Sequence, residues 1–273
     1  MRFDRGDGDD TPVGRLLSRR EAVALLGVSG AALLAGCDRI SVSVERDLPP
    51  GEAATATGSS AVPSCVVRPQ QTEGPYFVDE NLRRNDIRSD PATGEVRPGA
   101  PLQLALAASL VTDGGCTPLS GAHVDLWQCD ALGVYSDVVD PGFNTVGQKF
   151  LRGYQLTDQE GRVRFTTIYP GWYPGRTVHL HFKVRTDPAA AQGYEFTSQL
   201  YFDDSLTDRV HAREPYARKG QRTRRNRDDG IFQNGGEQLM LALTGDEQGY
   251  VAQFHIGIHP YQRRGNPRVR GIL

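Results

Sequence analysis

The chain has 273 residues, enough for one large domain or two small ones with a sizeable core, and its 31 Gly and 17 Pro favour a turn-rich, β-dominated fold. A net charge of −2 gives no global reason to expect a nucleic-acid partner. Four cysteines are too few for a disulfide-built scaffold.

The N-terminus reads as an export segment. Ser18-Arg19-Arg20 precedes an apolar run from Ala22 to Ala35, the twin-arginine and hydrophobic-core layout of a bacterial signal. The run falls short of the roughly 20 residues that span a bilayer. It ends Leu34-Ala35-Gly36-Cys37, the pattern of a lipoprotein signal cut ahead of a cysteine that then carries the lipid. Ordinary cleavage after small residues, with Cys37 incidental, is the alternative. Residues 1–37 are thus expected to be a signal with its lipid-attachment site, which places the mature chain on the outer face of the cytoplasmic membrane, or in the periplasm or medium if no lipid is added. Residues 38–64 are rich in Pro, Gly, Ala, Thr and Ser without apolar periodicity, and are expected to form a flexible tether.

Cys65 opens the expected folded domain, 65–273. Gln71-Thr72-Glu73-Gly74-Pro75-Tyr76-Phe77 contains a Gly-Pro-aromatic turn that presents a ring, and 81–98 is polar and turn-rich. Alternating apolar residues predict strands at 102–107 and 122–127, joined by a hairpin turn at Pro118-Leu-Ser-Gly121. Further strands are predicted at 147–157, 161–168, 177–184, 197–202, 237–243 and 250–258. No convincing amphipathic helix lies between them. The predicted fold is all-β: an antiparallel β-sandwich, with long loops available for a site. The basic run of 213–227 reads as a solvated loop. Cys116, beside the hairpin turn, and Cys129, near the far end of the next strand, stand roughly 20 Å apart at about 3.3 Å per residue, too far for a disulfide. A bridge from Cys65 to one of them fits an oxidising compartment, and the choice between them stays open.

Two stretches carry chemistry. The first is Val124-Asp-Leu-Trp127-Gln-Cys-Asp130-Ala-Leu-Gly133-Val-Tyr135-Ser136, a strand running into a glycine turn that carries a tyrosine. The second is Tyr169-Pro-Gly-Trp-Tyr173-Pro-Gly-Arg176-Thr-Val-His179-Leu-His181, a loop of phenols and a guanidinium followed by a strand. Side chains two apart on a strand point the same way, so His179 and His181 can reach one metal ion; a pair of histidines packed in a sheet is the plain structural alternative.

Together with Arg152-Gly-Tyr-Gln-Leu-Thr-Asp158 and Gln199-Leu-Tyr-Phe202, these motifs resemble, in order and over about Cys65 to Ile258, the intradiol ring-cleavage dioxygenases, the catechol and protocatechuate dioxygenase family. The resemblance implies a ferric ion, Fe(III), one per chain, held by Tyr135, Tyr173, His179 and His181. Tyr135 follows the family's Trp-x-x-Asp-x-x-Gly-x-Tyr pattern, and Tyr173, not Tyr169, follows Ile-x-Pro-Gly-x-Tyr-Pro. It implies catalytic roles for Tyr173, Arg176 and Gln199, and a substrate pocket lined by Thr72, Gly74, Pro75 and Trp127. The implied partners are a small aromatic diol and O2, with the membrane reached through the lipid on Cys37 and homo-oligomers within the family's range. Two phenolates with two imidazoles suit ferric iron better than zinc or ferrous iron. Two departures bear on oligomeric state and substrate preference: signal and tether stand where the catechol enzymes have a dimerising helical segment, and the link from Tyr173 to His179 is short, leaving the iron open to bulky catechols.

The same residues admit other readings. A cupin would want a Glu three or four places past His181, where Val184 and Arg185 stand. A zinc hydrolase would want a third His or a Glu beside the pair. A non-enzymatic reading is a lipid-anchored β-sandwich that binds aromatics or surface partners through its tyrosines.

Overall fold

The computed structural model describes residues 66–113, 115–186, 195–246 and 248–259. The expected signal and lipid site (1–37), the tether (38–64), Cys65 and 260–273 lie outside the described residues. Chain order runs β1 (Pro101–Thr112), β2 (Gly115–Pro118), β3 (His123–Trp127), β4 (Val139–Asp140), β5 (Phe143–Asn144), β6 (Arg152–Leu156), β7 (Arg162–Ile168), β8 (His179–Arg185) and β9 (Glu195–Tyr201). Helix α1 (Asp204–His211), the short α2 (Gly230–Gln233), β10 (Leu243–Asp246) and β11 (Gly249–Ile258) complete it.

Two sheets form the β-sandwich. In the first, β1 pairs with β11 along one edge, while β7 and β2 share its other edge, and β10 pairs outside β11. In the second, the order is β6-β3-β8-β9, antiparallel throughout. One pairing departs from the antiparallel expectation: β1 and β11 run parallel, Leu102 opposite Tyr250 through Leu110 opposite Ile258. The core lies between the sheets. Leu102, Leu104 and Leu106 of β1, Phe254 and Ile256 of β11, and Leu180, Phe182 and Val184 of β8 share one buried cluster. Each comes from alternate positions of its strand, as a pleated chain requires.

Three local expectations are corrected. Pro118 to Gly121 is no hairpin: β1 and β3 lie in different sheets, and the segment crosses between layers, with Leu119 N–H donating to Ala108 O and Gly121 N–H to Thr157 O. Residues 236–239 form a single 3-10 turn behind Gly235 at φ 92°, so the strand starts only at Leu243. Asp204–His211 is helical although its sequence is mostly polar, because Asp203 caps its first turn by accepting from Leu206 N–H and α1 needs to bury little beyond Thr207, Val210 and His211. The basic run is mostly exposed, as a solvated loop would be, but the side chain of Arg222 is buried in ion pairs with Asp204 and with Asp208 (2.9 Å) of α1. Cys116 is disulfide-bonded to a partner outside the described residues, while Cys129 is a buried free thiol, which agrees with the absence of a bond between them.

Helix α1 anchors the loop 169–176. Tyr169 Oη and Thr207 Oγ1 lie 2.7 Å apart, Tyr216 Oη donates to Tyr169 O (2.7 Å), and His211 Nε2–H donates to Pro170 O (3.0 Å). Burial lowers the His211 pKa from 6.5 to about 4. The unfolded chain therefore binds this proton where the folded one does not. Stability from this group is complete above pH 6.5 and is lost as pH falls towards 4, by on the order of 3 kcal/mol. Urea unfolding of wild type and His211→Gln, which keeps an N–H donor, should show the wild type losing that much more between pH 6.5 and 4; parallel curves would contradict it.

Candidate metal centre

The register of the second sheet builds the floor of the site. Trp127 of β3 stands opposite His181 of β8, and His181 opposite Gln199 of β9; His179 stands opposite Tyr201. These side chains share the sheet face turned away from Leu180, Phe182 and Val184, so one row carries an indole, an imidazole and an amide side by side. Trp127 stacks on His181, centroids 4.9 Å apart and planes at 9°. It backs the histidine and is itself buried, with no partner for its Nε1 among the described residues.

Two loops bring the phenols in. Asp130 Oδ1 accepts from the N–H groups of Leu132 (2.9 Å) and Val134 (3.0 Å), bending the chain after β3 through Gly133 at φ +80° into Tyr135. Gly171 N–H donates to Asp130 O at 3.1 Å and joins this loop to the one carrying Tyr173. The contact admits no side chains. A Cβ on Gly133 would lie 2.1 Å from Trp172 O, and one on Gly171 would lie 2.4 Å from Ala131 O. The glycines of both motifs are thus where two backbones meet, which sets the Tyr135 and Tyr173 rings 5.8 Å apart, edge to face.

The four expected ligands converge. His179 Nε2 and His181 Nε2 are 3.1 Å apart, and Tyr173 Oη lies 3.2 Å from His179 Nε2. His179 Nδ1 is 2.7 Å from Thr177 O, which can only accept, so Nδ1 carries the proton and Nε2 presents its lone pair. Tyr135 Oη and His181 Nδ1 are buried without a hydrogen-bond partner among the described residues. Burial, then the neighbouring Tyr173, pushes the Tyr135 pKa well above the usual phenol value, and burial raises that of Tyr173 as well, against the opposing charge of Arg176. Burial and Arg176 hold His179 neutral; burial, His179 and Arg176 do the same for His181.

Neutral imidazoles are ready to ligate, whereas the phenols need a strong positive charge to ionise. Neighbouring donors about 2.1 Å from one ion and at right angles to each other stand about 3 Å apart, which matches the spacings here. Among the described residues no group of three or more His, Cys, Asp or Glu could hold a metal, so an ion at this place must be held with the tyrosines. The residues fit a hard trivalent cation.

Around this centre, Arg176 Nη2 donates to Gln199 Oε1 (2.6 Å), and Gln199 Nε2 donates to Thr72 O (3.0 Å). Gly74, at φ +72°, passes so close that a Cβ would lie 3.4 Å from His181 Cε1, while Pro75 is exposed at the turn. Two residues without a role in the sequence reading join them. Tyr76 stacks on Tyr135 (4.5 Å) and meets Tyr173 edge-on (6.0 Å), its hydroxyl donating to Asp140 Oδ2 at 2.7 Å. Buried Arg152 ties Ser136 Oγ (2.8 Å) to Tyr76 O (3.2 Å), clamping the Tyr135 loop to the turn above it. Their motifs, the aromatic after Gly74-Pro75 and the arginine opening β6, were visible, but nothing local pointed them at each other. Cys37 lies outside the described residues.

Replacing Gly171 by Ala should force the two tyrosine loops apart, costing about 1–3 kcal/mol as overpacking against unyielding backbone. Denaturant unfolding of iron-free protein reads this directly, and a loss below 0.5 kcal/mol would show that the loops are not held by that contact.

Comparison with known proteins places the geometry in context. The dioxygenase family (Dioxygenase_C) matches residues 72–219. The chain is 31% identical over 133 residues to the protocatechuate 3,4-dioxygenase beta chain of Burkholderia cepacia, covering 46% of this chain and 52% of that one. It is 42% identical over 95 residues to the catechol 1,2-dioxygenase of Candida albicans, covering 27% and 29%. It thus spans about half the length of the first relative and less of the second. Among solved structures, an intradiol ring-cleavage dioxygenase from Tetranychus urticae aligns with TM-score 0.63 at 30% identity, covering 74% of this chain and 98% of that one. The dioxygenase domain of a carbohydrate-binding fusion from Streptomyces sp. SirexAA-E aligns with TM-score 0.50 at 27% identity, covering 71% and 99%.

Proposed function

Because this chain belongs to the intradiol ring-cleavage dioxygenase family, we propose that it holds one ferric ion per chain and uses O2 to cleave a catechol-type ring between its two hydroxyl-bearing carbons, releasing a cis,cis-muconate-type diacid. The observation that carries this reading is the convergence of two neutral imidazoles and Tyr173, with donor atoms 3.1 and 3.2 Å apart, on the buried Tyr135, whose ring lies 5.8 Å from that of Tyr173. When bound, ferric iron supplies the charge that ionises the phenols and the diol and draws electron density from the ring, making a ring carbon reactive towards dioxygen.

Burial supports an unequal division of labour between the tyrosines. Tyr135 is 0% exposed and wedged under Tyr76, suited to permanent ligation with His179 and His181. Tyr173 is half-buried at the rim beside Arg176, suited to release and to accept a proton from the incoming diol at Oη. Arg176 stabilises negative charge that builds on the ring and its oxygens, an electrostatic role best served by a fixed, desolvated guanidinium. Gln199 holds the Nη2 edge of that guanidinium and is held in turn by Thr72 O. The Gly74-Pro75 turn and Tyr76 form the wall over His181 and Tyr135, and Trp127 keeps His181 from turning. As to place, Ser18-Arg19-Arg20 and Cys37 support twin-arginine export and a lipid anchor on the outer face of the cytoplasmic membrane, where the substrate would be an external aromatic diol.

In Tyr173→Phe, one iron per chain should remain, with a phenolate-to-iron visible band from Tyr135, while oxygen uptake on a panel of catechol, protocatechuate and hydroxyquinol falls by about 100-fold or more. Undiminished turnover would remove Tyr173 from its role as base. A colourless, iron-free wild type from iron-replete cells would favour the aromatic-binding module instead.

A further inference from the structure

We propose that Asp229, fifty-three residues beyond Arg176 and on the far side of the basic run, is the positioning residue for the Arg176 guanidinium. The inference rests on the ferric dioxygenase reading for its catalytic consequence, and on geometry alone for the positioning itself. Asp229 is 1% exposed, and both its carboxylate oxygens are fully used. Oδ2 accepts from Arg176 Nε–H (2.9 Å) and Thr177 N–H (2.7 Å). Oδ1 accepts from Ile231 N–H (2.8 Å) and Phe232 N–H (3.0 Å), capping α2. One carboxylate therefore joins the backbone just ahead of β8, the guanidinium and the start of a helix.

The arrangement leaves Arg176 little freedom. Asp229 holds Nε and Gln199 holds Nη2, so Nη1 is the nitrogen without a hydrogen bond among the described residues. A side chain that otherwise samples many rotamers is locked at two points, at a cost in side-chain entropy that the protein meets before substrate arrives. Tyr201 Oη lies 3.0 Å from Gln199 Oε1 and 2.7 Å from Gln71 Oε1, its single proton shared between the two, so the second holding point sits in a packed polar cluster as well. Buried Asn226 repeats the pattern one turn earlier: its Oδ1 accepts from Thr177 Oγ1–H (2.7 Å) while its Nδ2 donates to Phe202 O (2.8 Å). The end of the basic run and the residues just after it thus grip Arg176 and Thr177 from outside the sheet. An ion pair so enclosed need not stabilise the fold. Its defined consequence is a guanidinium fixed in orientation next to Tyr173.

Two variants separate this from a structural role. Asp229→Asn keeps a capping oxygen for α2 but offers an amide where two N–H donors converge, and Asp229→Ser caps the helix while being too short to reach Arg176. In iron-loaded enzyme, both should keep one iron per chain and the visible band, and lose about ten- to hundredfold in kcat on catechol, with KM changed by less than threefold. In an Arg176→Gln background the same Asp229 substitutions should cause no further loss. An equal loss in that background, or an unchanged kcat in both single variants, would overturn the proposal. A second readout needs neither iron nor activity: in iron-free wild type the Arg176 Nε–H resonance should be protected from solvent exchange, and in both Asp229 variants that protection should collapse by at least tenfold. Retained protection would overturn the positioning role. A wild type that binds iron yet turns over no diol, with the exchange result as expected, would instead overturn the dioxygenase reading and leave the positioning intact.

Discussion

Alternation along β8 is the constraint on which the rest of the molecule depends. Leu180, Phe182 and Val184 enter the core between the sheets, so His179, His181 and Lys183 must emerge on the opposite face. A slip of one residue would put two imidazoles into an apolar layer and the core residues against the loops, which makes the register of this strand energetically stiff. Because that face is covered by the turn at residues 72–77, the imidazoles are buried on both sides of the sheet, and all but the last residue of β8 is inaccessible. The core thereby fixes where the histidines are, and the loops only have to deliver phenols to them.

That delivery explains the glycines of both tyrosine motifs. Backbone meets backbone at Gly133 and Gly171, and no other residue type allows the approach. Two imidazoles and the Tyr135 phenol are buried together, with Tyr135 Oη lacking a hydrogen-bond partner among the described residues, an arrangement that a cation would complete. In the proposed reading a trivalent ion would complete this site, and its charge would turn weakly acidic phenols into ligands and one of them into a base.

Much of this was legible in the chain. Period-two patterning marked most strands, and His179-x-His181 marked a shared face without reference to any other residue. The paired tyrosines were legible only through family resemblance, since nothing in the spacing of Tyr135 and His179 says that a crossing of two loops brings them together. What stayed hidden depends on distant partners. The run 102–107 looked ready to pair with 122–127, yet each alternating strand serves a different layer, and local pattern does not record which. Helix α1 carries few apolar residues because it covers a small area, so its signal lay in the cap Asp203 and not in periodicity. Asp229, just past the basic run, carried no local sign of a role. Its burial follows from two N–H donors at the head of β8 that sequence cannot place nearby.

The role proposed for these four side chains is to assemble a centre that inserts both atoms of dioxygen into a catechol-type ring. The most direct measurement is product analysis after turnover of iron-loaded protein under 18O2. The expected product is a ring-opened diacid, split between the two hydroxyl-bearing carbons, with one labelled oxygen in each new carboxyl group. A product cleaved beside the hydroxyls to give an aldehyde, or a quinone without incorporated label, would contradict it.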